Sequence, residues 1–236
     1  LVRSRSEARK LIQEGRVTVG GDQGPKPSRS VKESSSIEII GPERFVGRGG
    51  DKLAAALDRF GLDPTGRRAL DVGSSVGGFT DCLLRRGAES VVSVDVGHGQ
   101  MSNELVIHPA VRSLEGTDIR NVDFETLGGP FDLVVVDVSF ISLCAVTAAL
   151  TTATKSGGDV IALIKPQFEV GRDRIGRGIV GDASLHKEAV AKIKDCFVGA
   201  GLDSVEVMTS PITGEQGNQE YFLWARKGTA MGTGRP

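Results

Sequence analysis

The stretch Leu133-Val134-Val135-Val136 has no polar residue at either alternate position, and Val160-Ile161-Ala162-Leu163-Ile164 repeats the pattern. A strand with one face in water alternates apolar and polar side chains. Runs like these need both faces covered, as in a parallel sheet sandwiched between helices. The chain from residue 51 onward supplies the partners. Strands are predicted at 68–72, 90–95, 110–114, 132–137, 159–164, 204–209 and 219–225. Helical patterns separate several of them, most clearly at 77–86, 142–153 and 184–199, and a helix at 51–60 carries Leu53, Ala56, Leu57 and Phe60 on one face. A short loop with Pro and Gly joins the last two strands, which predicts an antiparallel closing pair. The expected fold is α/β, with one mostly parallel sheet of seven strands.

A module of different character stands ahead of it. Ser4-x-x-Glu7 has capping-box spacing, Ala8, Leu11 and Ile12 form one apolar stripe, and Gly15 stops the helix. Val17 and Val19 alternate with polar residues up to Gly20-Gly21, and a second strand is expected around Ile37–Ile40. Residues 1–50 carry 10 Lys and Arg against 6 Asp and Glu, a net +4, while the remainder carries −5. A basic head on a mildly acidic body suits an RNA-handling appendage, with Arg3, Arg5, Arg9 and Arg16 as candidate phosphate contacts. A solvated basic surface would have the same letters. The expected division is a small α+β domain over 1–42, a Gly/Pro-rich linker over 43–49, the α/β domain over 50–226 and a flexible tail over 227–236. The opening at Leu1, with neither methionine nor a signal-peptide pattern, reads as a trimmed or partial start.

No apolar run approaches the ~18–20 residues needed to span a bilayer. Cys82, Cys144 and Cys196 are far apart, form no CxxC pair and have no His at metal-ligand spacing. Neither a disulfide frame nor a metal site is expected, and a reducing cytoplasm fits best.

The stretch from Leu70 to Phe79, LDVGSSVGGF, follows the first strand of the sheet and opens a helix. Glycines there let backbone N–H groups approach a ligand closely. A dinucleotide fingerprint starting at Gly73 needs glycine at 75, where Ser75 stands, and a phosphate loop through Gly73 and Gly78 needs lysine at 79, where Phe79 stands. What remains, D-x-G-x-x-x-G-G-F, resembles the S-adenosylmethionine site of α/β methyltransferases. That resemblance makes Asp71, Gly73, Ser74, Gly77, Gly78 and Phe79 candidate cofactor contacts. Asp95 ends the next strand, where an acidic side chain can take both ribose hydroxyls, and Asp118 is a candidate at the adenine end.

Four further polar residues fall where sheet topology gathers strand ends. Asp137 and Lys165 each follow a buried strand, Glu220 opens the last strand, and Lys52 sits at the start of the first helix. With Gly49-Gly50-Asp51-Lys52-Leu53, Asp71-Val72-Gly73, Asp95-Val96-Gly97-His98-Gly99-Gln100, Asp137-Val138-Ser139-Phe140-Ile141-Ser142, Lys165-Pro166-Gln167-Phe168-Glu169 and Asn218-Gln219-Glu220-Tyr221-Phe222, the chain resembles the TlyA/hemolysin A family from Leu1 to about Arg226. The resemblance implies a Rossmann-like seven-stranded methyltransferase sheet and an αL-type RNA-binding domain. It also implies S-adenosylmethionine as cofactor, ribosomal RNA or ribosomal subunits as partner with cytidine as the modified nucleoside, and a catalytic tetrad at Lys52, Asp137, Lys165 and Glu220.

A sugar hydroxyl is a poor nucleophile, so an enzyme methylating it must orient it in line and remove its proton as the bond forms. Lys165 is the candidate base; electrostatic steering by Lys165, with water taking the proton, stays open. The segment Gly171 to Gly181, with Arg172, Arg174 and Arg177, reads as a mobile basic loop or as a solvated one. Two other classes compete. A membrane-active hemolysin lacks any apolar span or aromatic-rich basic amphipathic helix. A non-catalytic RNA-binding protein would show decay in the tetrad or glycine loop, and neither is decayed. No obligate protein partner is evident.

Overall fold

The computed structural model describes residue 2 and residues 5–40, 45–176 and 178–229. Arg3, the Ser4 end of the capping box, residues 41–44 of the hinge, Arg177 and residues 230–236 of the tail lie outside the described residues. The chain forms two compact units, Leu1–Arg44 and Phe45–Pro236.

In the first unit, helix α1 (Arg5–Gln13) precedes strands β1 (Val17–Val19), β2 (Asp22–Gln23) and β3 (Ile37–Ile39), which pair antiparallel in the order β2-β1-β3. Leu11, Val17 and Val19 are buried and form its small core. Strand β2 has no apolar signal, and it exists because the Gly20-Gly21 turn, with both φ positive, folds the chain back onto β1.

The second unit opens with α2 (Arg48–Phe60), whose Leu53, Ala56, Leu57 and Phe60 are all buried and whose C-cap is Gly61 in the left-handed region. It begins three residues before the expected start, so residues 48 and 49 are helical and not linker. Gly50 is required there: a Cβ would strike the Phe45 ring. Then follow β4 (Arg68–Val72), α3 (Gly78–Arg85), β5 (Ser90–Val94), α4 (Asn103–Val106), β6 (Val111–Leu114) and β7 (Phe131–Val136). After them come α5 (Thr147–Ala153), β8 (Thr154–Ile164), α6 (Pro166–Glu169), α7 (Ala183–Gly199), β9 (Leu202–Thr209) and β10 (Tyr221–Lys227). The expected helix over 142–153 is a 3-10 turn at Leu143–Ala145 followed by α5, and β8 starts five residues early because it leaves α5 without a loop.

The seven strands run in the order β6-β5-β4-β7-β8-β10-β9, parallel except for β10, which is antiparallel to both neighbours. Period-2 alternation splits the core in two. Leu70, Val72, Val134 and Val136 pack with Leu150 of α5 and Ile193 and Phe197 of α7. Ala69, Leu133, Val135 and Ile161 pack with Leu53 and Leu57 of α2 and Phe79 and Leu83 of α3. Among the described residues no helix is long and apolar enough to cross a membrane.

The cysteine expectation is overturned. Cys144 and Cys196, 52 residues apart, form a disulfide with Cα atoms at 5.5 Å. Sequence spacing gave no hint of it, since the pairing arises only where α7 packs on the 3-10 turn that follows β7. Among the described residues of 171–181, Arg174 and Val180 are tied to the body of the unit. Val180 is buried, its N–H donates to Asn218 Oδ1 (2.9 Å), and Arg174 pairs with Glu188 through both guanidinium nitrogens.

Candidate active site

Strand register assembles the site. Val72 pairs with Val136, and Val136 with Ala162, so β4, β7 and β8 end near one level and release Gly73, Asp137 and Lys165 at the same sheet edge. Tyr221 pairs with Ile164, which brings Glu220 to the level of Lys165 from the antiparallel strand. The strand order reverses direction between β4 and β7, the crevice where open α/β sheets bind ligands.

Two adjoining cavities occupy this edge. The larger, about 460 Å3, is lined by Gly73, Asp95, Val96, Asp118, Ile119 and Phe140 among others. The second, about 350 Å3, is lined by Lys52, Asp137, Lys165 and Glu220, together with Arg48, Gly49, Ser74, Gly78, Phe79 and Glu215. Gly73, Ser75 and Asp137 belong to both.

The glycine loop is shaped by close approach. Gly73 has φ +84°, and a Cβ there would strike the Asp137 carbonyl oxygen; at Gly77, φ +96°, it would strike Leu105. Ser75 also lies in the left-handed region, at φ 47°, and its N–H donates to Asp95 Oδ2 at 2.7 Å. The Gly97 N–H donates to Asp95 Oδ1 at 2.7 Å, so the carboxylate is fixed at the cavity wall with a lone pair left on each oxygen. Asp118 accepts from the Arg120 guanidinium and backbone N–H, which hold its carboxyl down at about 2. This donor set of two carboxylates and apolar walls, with its one arginine already paired to Asp118, suits a cationic, phosphate-free nucleoside. It fits S-adenosylmethionine and does not fit a pyrophosphate.

Asp71 takes a different place from the one expected. It is fully buried, lines neither cavity, and accepts from the Thr80 hydroxyl at 2.7 Å, while its Oδ1 has no hydrogen-bond partner. Burial pushes its carboxyl up to about 7, with Asp137 and Asp95 adding to the push and the Thr80 bond opposing it. Gly77 likewise shapes the loop without lining a cavity.

The tetrad residues meet as two ion pairs. Lys52 Nζ lies 2.5 Å from Glu220 Oε2, both side chains nearly inaccessible. Lys165 Nζ lies 2.5 Å from Asp137 Oδ1 and donates to Ser139 Oγ at 2.8 Å. The Lys165–Asp137 contact is a charge contact and not a well-directed hydrogen bond, since Asp137 Oδ1 has no geometrically satisfactory donor. Ser139, Arg48 and Glu215 were not singled out from sequence. Ser139 stands two residues after Asp137, where a hydroxyl more often serves a turn; Glu215, in the β9–β10 loop, carried no signal. In the first unit Arg5 and Arg9 are exposed, whereas Arg16 donates from Nε to the Ile40 carbonyl at 3.0 Å and braces the sheet.

Residues 45–227 match the FtsJ-like methyltransferase family, and residues 1–37 match the S4 domain. The chain is 42% identical over 97% of its length to the 16S/23S rRNA (cytidine-2′-O)-methyltransferase TlyA of Mycobacterium tuberculosis, covering 87% of that protein. It is 36% identical to Hemolysin A of Brachyspira hyodysenteriae, over 93% of this chain and 92% of that one. A solved structure described as a hemolysin from Streptococcus thermophilus superposes with a TM-score of 0.77 at 34% identity, covering 98% of this chain and 87% of that one. The chain belongs to the FtsJ-like methyltransferase family, carries an S4 match ahead of the methyltransferase region, and is related to TlyA and Hemolysin A.

Proposed function

We propose that this protein is an S-adenosylmethionine-dependent ribose 2′-O-methyltransferase of ribosomal RNA acting on cytidine, working in the cytoplasm through Lys52, Asp137, Lys165 and Glu220. The observation that carries the reading is the continuity of the two cavities. The wall bearing Asp95 and Asp118 runs through Gly73 and Asp137 into the wall bearing the four tetrad side chains.

S-adenosylmethionine supplies a methyl group on a sulfonium, an electrophile that needs little activation. Asp95 would hold the ribose hydroxyls of the cofactor, and Gly73 and Ser75, which line both cavities, would separate it from the substrate. Lys165 Nζ faces the attacking 2′-oxygen; once it has released its own proton to water, the neutral amine takes the hydroxyl proton as the methyl bond forms, and Asp137 steadies the ammonium that results. Ser139 fixes the angle of Nζ. The Lys52–Glu220 pair, held almost out of water, keeps a fixed dipole beside the reacting oxygen. Ser74, Gly78 and Phe79, expected from the sequence as cofactor contacts, line only the second cavity and on this reading bound the substrate side. In the S4 unit, Arg3, Arg5 and Arg9 offer phosphate contacts, with Arg16 contributing mainly to the fold.

Lys165→Ala is the direct test, on ribosomal subunits from a strain lacking the gene. Methyl transfer falls by at least ~10²-fold, the low end for loss of a general base, while affinity for S-adenosylhomocysteine stays within about twofold. Full turnover by that variant would remove Lys165 from the mechanism.

A further inference from the structure

Two turns carry the Lys165–Asp137 pair, and a second carboxylate joins them. Glu169 closes α6, the single turn that begins directly after Lys165. Its side chain is 1% exposed. Oε2 accepts from the Ser142 hydroxyl at 2.6 Å, and Oε1 accepts from the Leu143 N–H at 2.9 Å. Ser142 and Leu143 close the turn that starts at Asp137. From behind, Lys192 of α7 donates to the Glu169 carbonyl at 2.8 Å and reaches Oε2 at 3.2 Å.

We propose that Glu169 is a positioning residue for methyl transfer, clasping the Asp137–Ser142 turn to the Lys165–Glu169 turn so that Lys165 Nζ is held against Asp137 and Ser139. The inference rests on the reading of Lys165 and Asp137 as the reacting pair.

Three features favour a clasp over general fold stabilisation. First, the turn it holds is not in a default conformation. Phe140 has φ 65°, a left-handed backbone that is strained for a bulky aromatic and persists only when its surroundings enforce it. Second, the other ties between the two turns are weaker or wetter. Phe140 and Phe168 touch as rings 5.1 Å apart, but Phe140 is 85% exposed, and the Lys165–Ser139 bond is itself part of the site. Third, the Lys192 partner is 42% exposed, so that ion pair is screened and contributes little. What the buried carboxylate holds firmly is Ser142 and Leu143. The same turn is fastened again two residues on, where Cys144 is bonded to Cys196, one helical turn along α7 from Lys192.

Glu169→Gln tests this with little risk to the fold. The amide oxygen can still accept from Leu143, but its nitrogen can only donate, so the Ser142 bond is turned round and loses its charge assistance while the Lys192 ammonium loses its side-chain acceptor. Ser142→Ala removes one leg of the clasp from the other side. Both variants are compared with wild type and with Lys165→Ala, in single-turnover methyl transfer to subunits from a strain lacking the gene. Displacement of a reacting group by about 1 Å can cost about 10²-fold. The rate constant is therefore expected to fall about 10- to 100-fold in Glu169→Gln and by a lesser factor in Ser142→Ala. S-adenosylhomocysteine and RNA affinities should hold within about twofold. The pH–rate profile should shift, because the Lys165–Asp137 distance has changed. Wild-type rates in Glu169→Gln, or a loss matching the unfolded fraction with an unmoved profile, would overturn the clasp while a dead Lys165→Ala left the site intact. Full activity in Lys165→Ala would overturn the underlying reading and the clasp with it.

Discussion

Asp71 offers a measurement of the electrostatics beneath the glycine loop. Burial holds its carboxyl at about 7 against 3.8 in the open chain. For an acid with a raised folded value, the unfolded chain gives up its proton first. Between about pH 4 and pH 7 the unfolded state is therefore favoured progressively, and above pH 7 the penalty is constant. At 1.36 kcal/mol per pH unit, a difference of this size amounts to about 4 kcal/mol, large beside a total stability on the order of 5–15 kcal/mol. Asp71→Asn cannot ionise and escapes the penalty. The amide pays its own constant cost, because the Oδ1 position has no partner to offer. The quantity to read is thus the pH dependence of the difference and not its value at one pH. Urea unfolding of the cofactor-free protein can be followed at Trp224, the single tryptophan, which lies in β10 of the same unit. From pH 5 to pH 7 the variant should gain on wild type by up to ~1.4 kcal/mol per pH unit and then level off. Parallel curves across that range would mean that Asp71 stays ionised in the folded protein, and the account of its burial would be wrong.

Two further outcomes follow from the packing. The Cys144–Cys196 bond closes a loop of 52 residues, which in the chain-entropy model is worth about 4 kcal/mol. A dithiol reductant should then lower the Tm of the wild type by about 10 °C and leave a Cys144→Ser/Cys196→Ser variant unmoved; equal wild-type melting with and without reductant would show that the two thiols are unpaired. Glu220→Leu strands the Lys52 ammonium in a buried site and should cost about 3–5 kcal/mol. Adding Lys52→Met should restore most of that stability in urea unfolding but none of the methyl transfer, and a recovery of activity would place the pair outside the chemistry.

What the letters disclosed and what they hid follows one rule of strand geometry. A residue just past the end of a buried strand is delivered to the sheet edge by the register of its neighbours, so Asp137 and Lys165 could be located from the apolar runs before them. Glu220 precedes β10, which runs antiparallel between β8 and β9, so the start of that strand comes level with Lys165 at the end of β8. As a linear string the motif puts Asp71 at the ligand, whereas the period-2 alternation of β4 puts it inside the core. In β4, Leu70 and Val72 face the α5/α7 side, so Asp71 must share the opposite face with Ala69, beneath α3. That is where Thr80 meets it. Cys144 with Cys196, and Glu169 with Ser142, lie beyond any such rule. These partnerships span 52 and 27 residues and depend on turns whose shape no periodicity encodes. Local pattern therefore locates groups that act directly on a ligand at a strand end, whereas groups that act by holding those in place become visible only when the tertiary contacts are known. Glu169 stands only four residues after Lys165, and its letter alone suggests nothing more than an acidic end to a short helix. Its significance comes from the Leu143 N–H that it accepts, a backbone group carrying no side-chain signature at all.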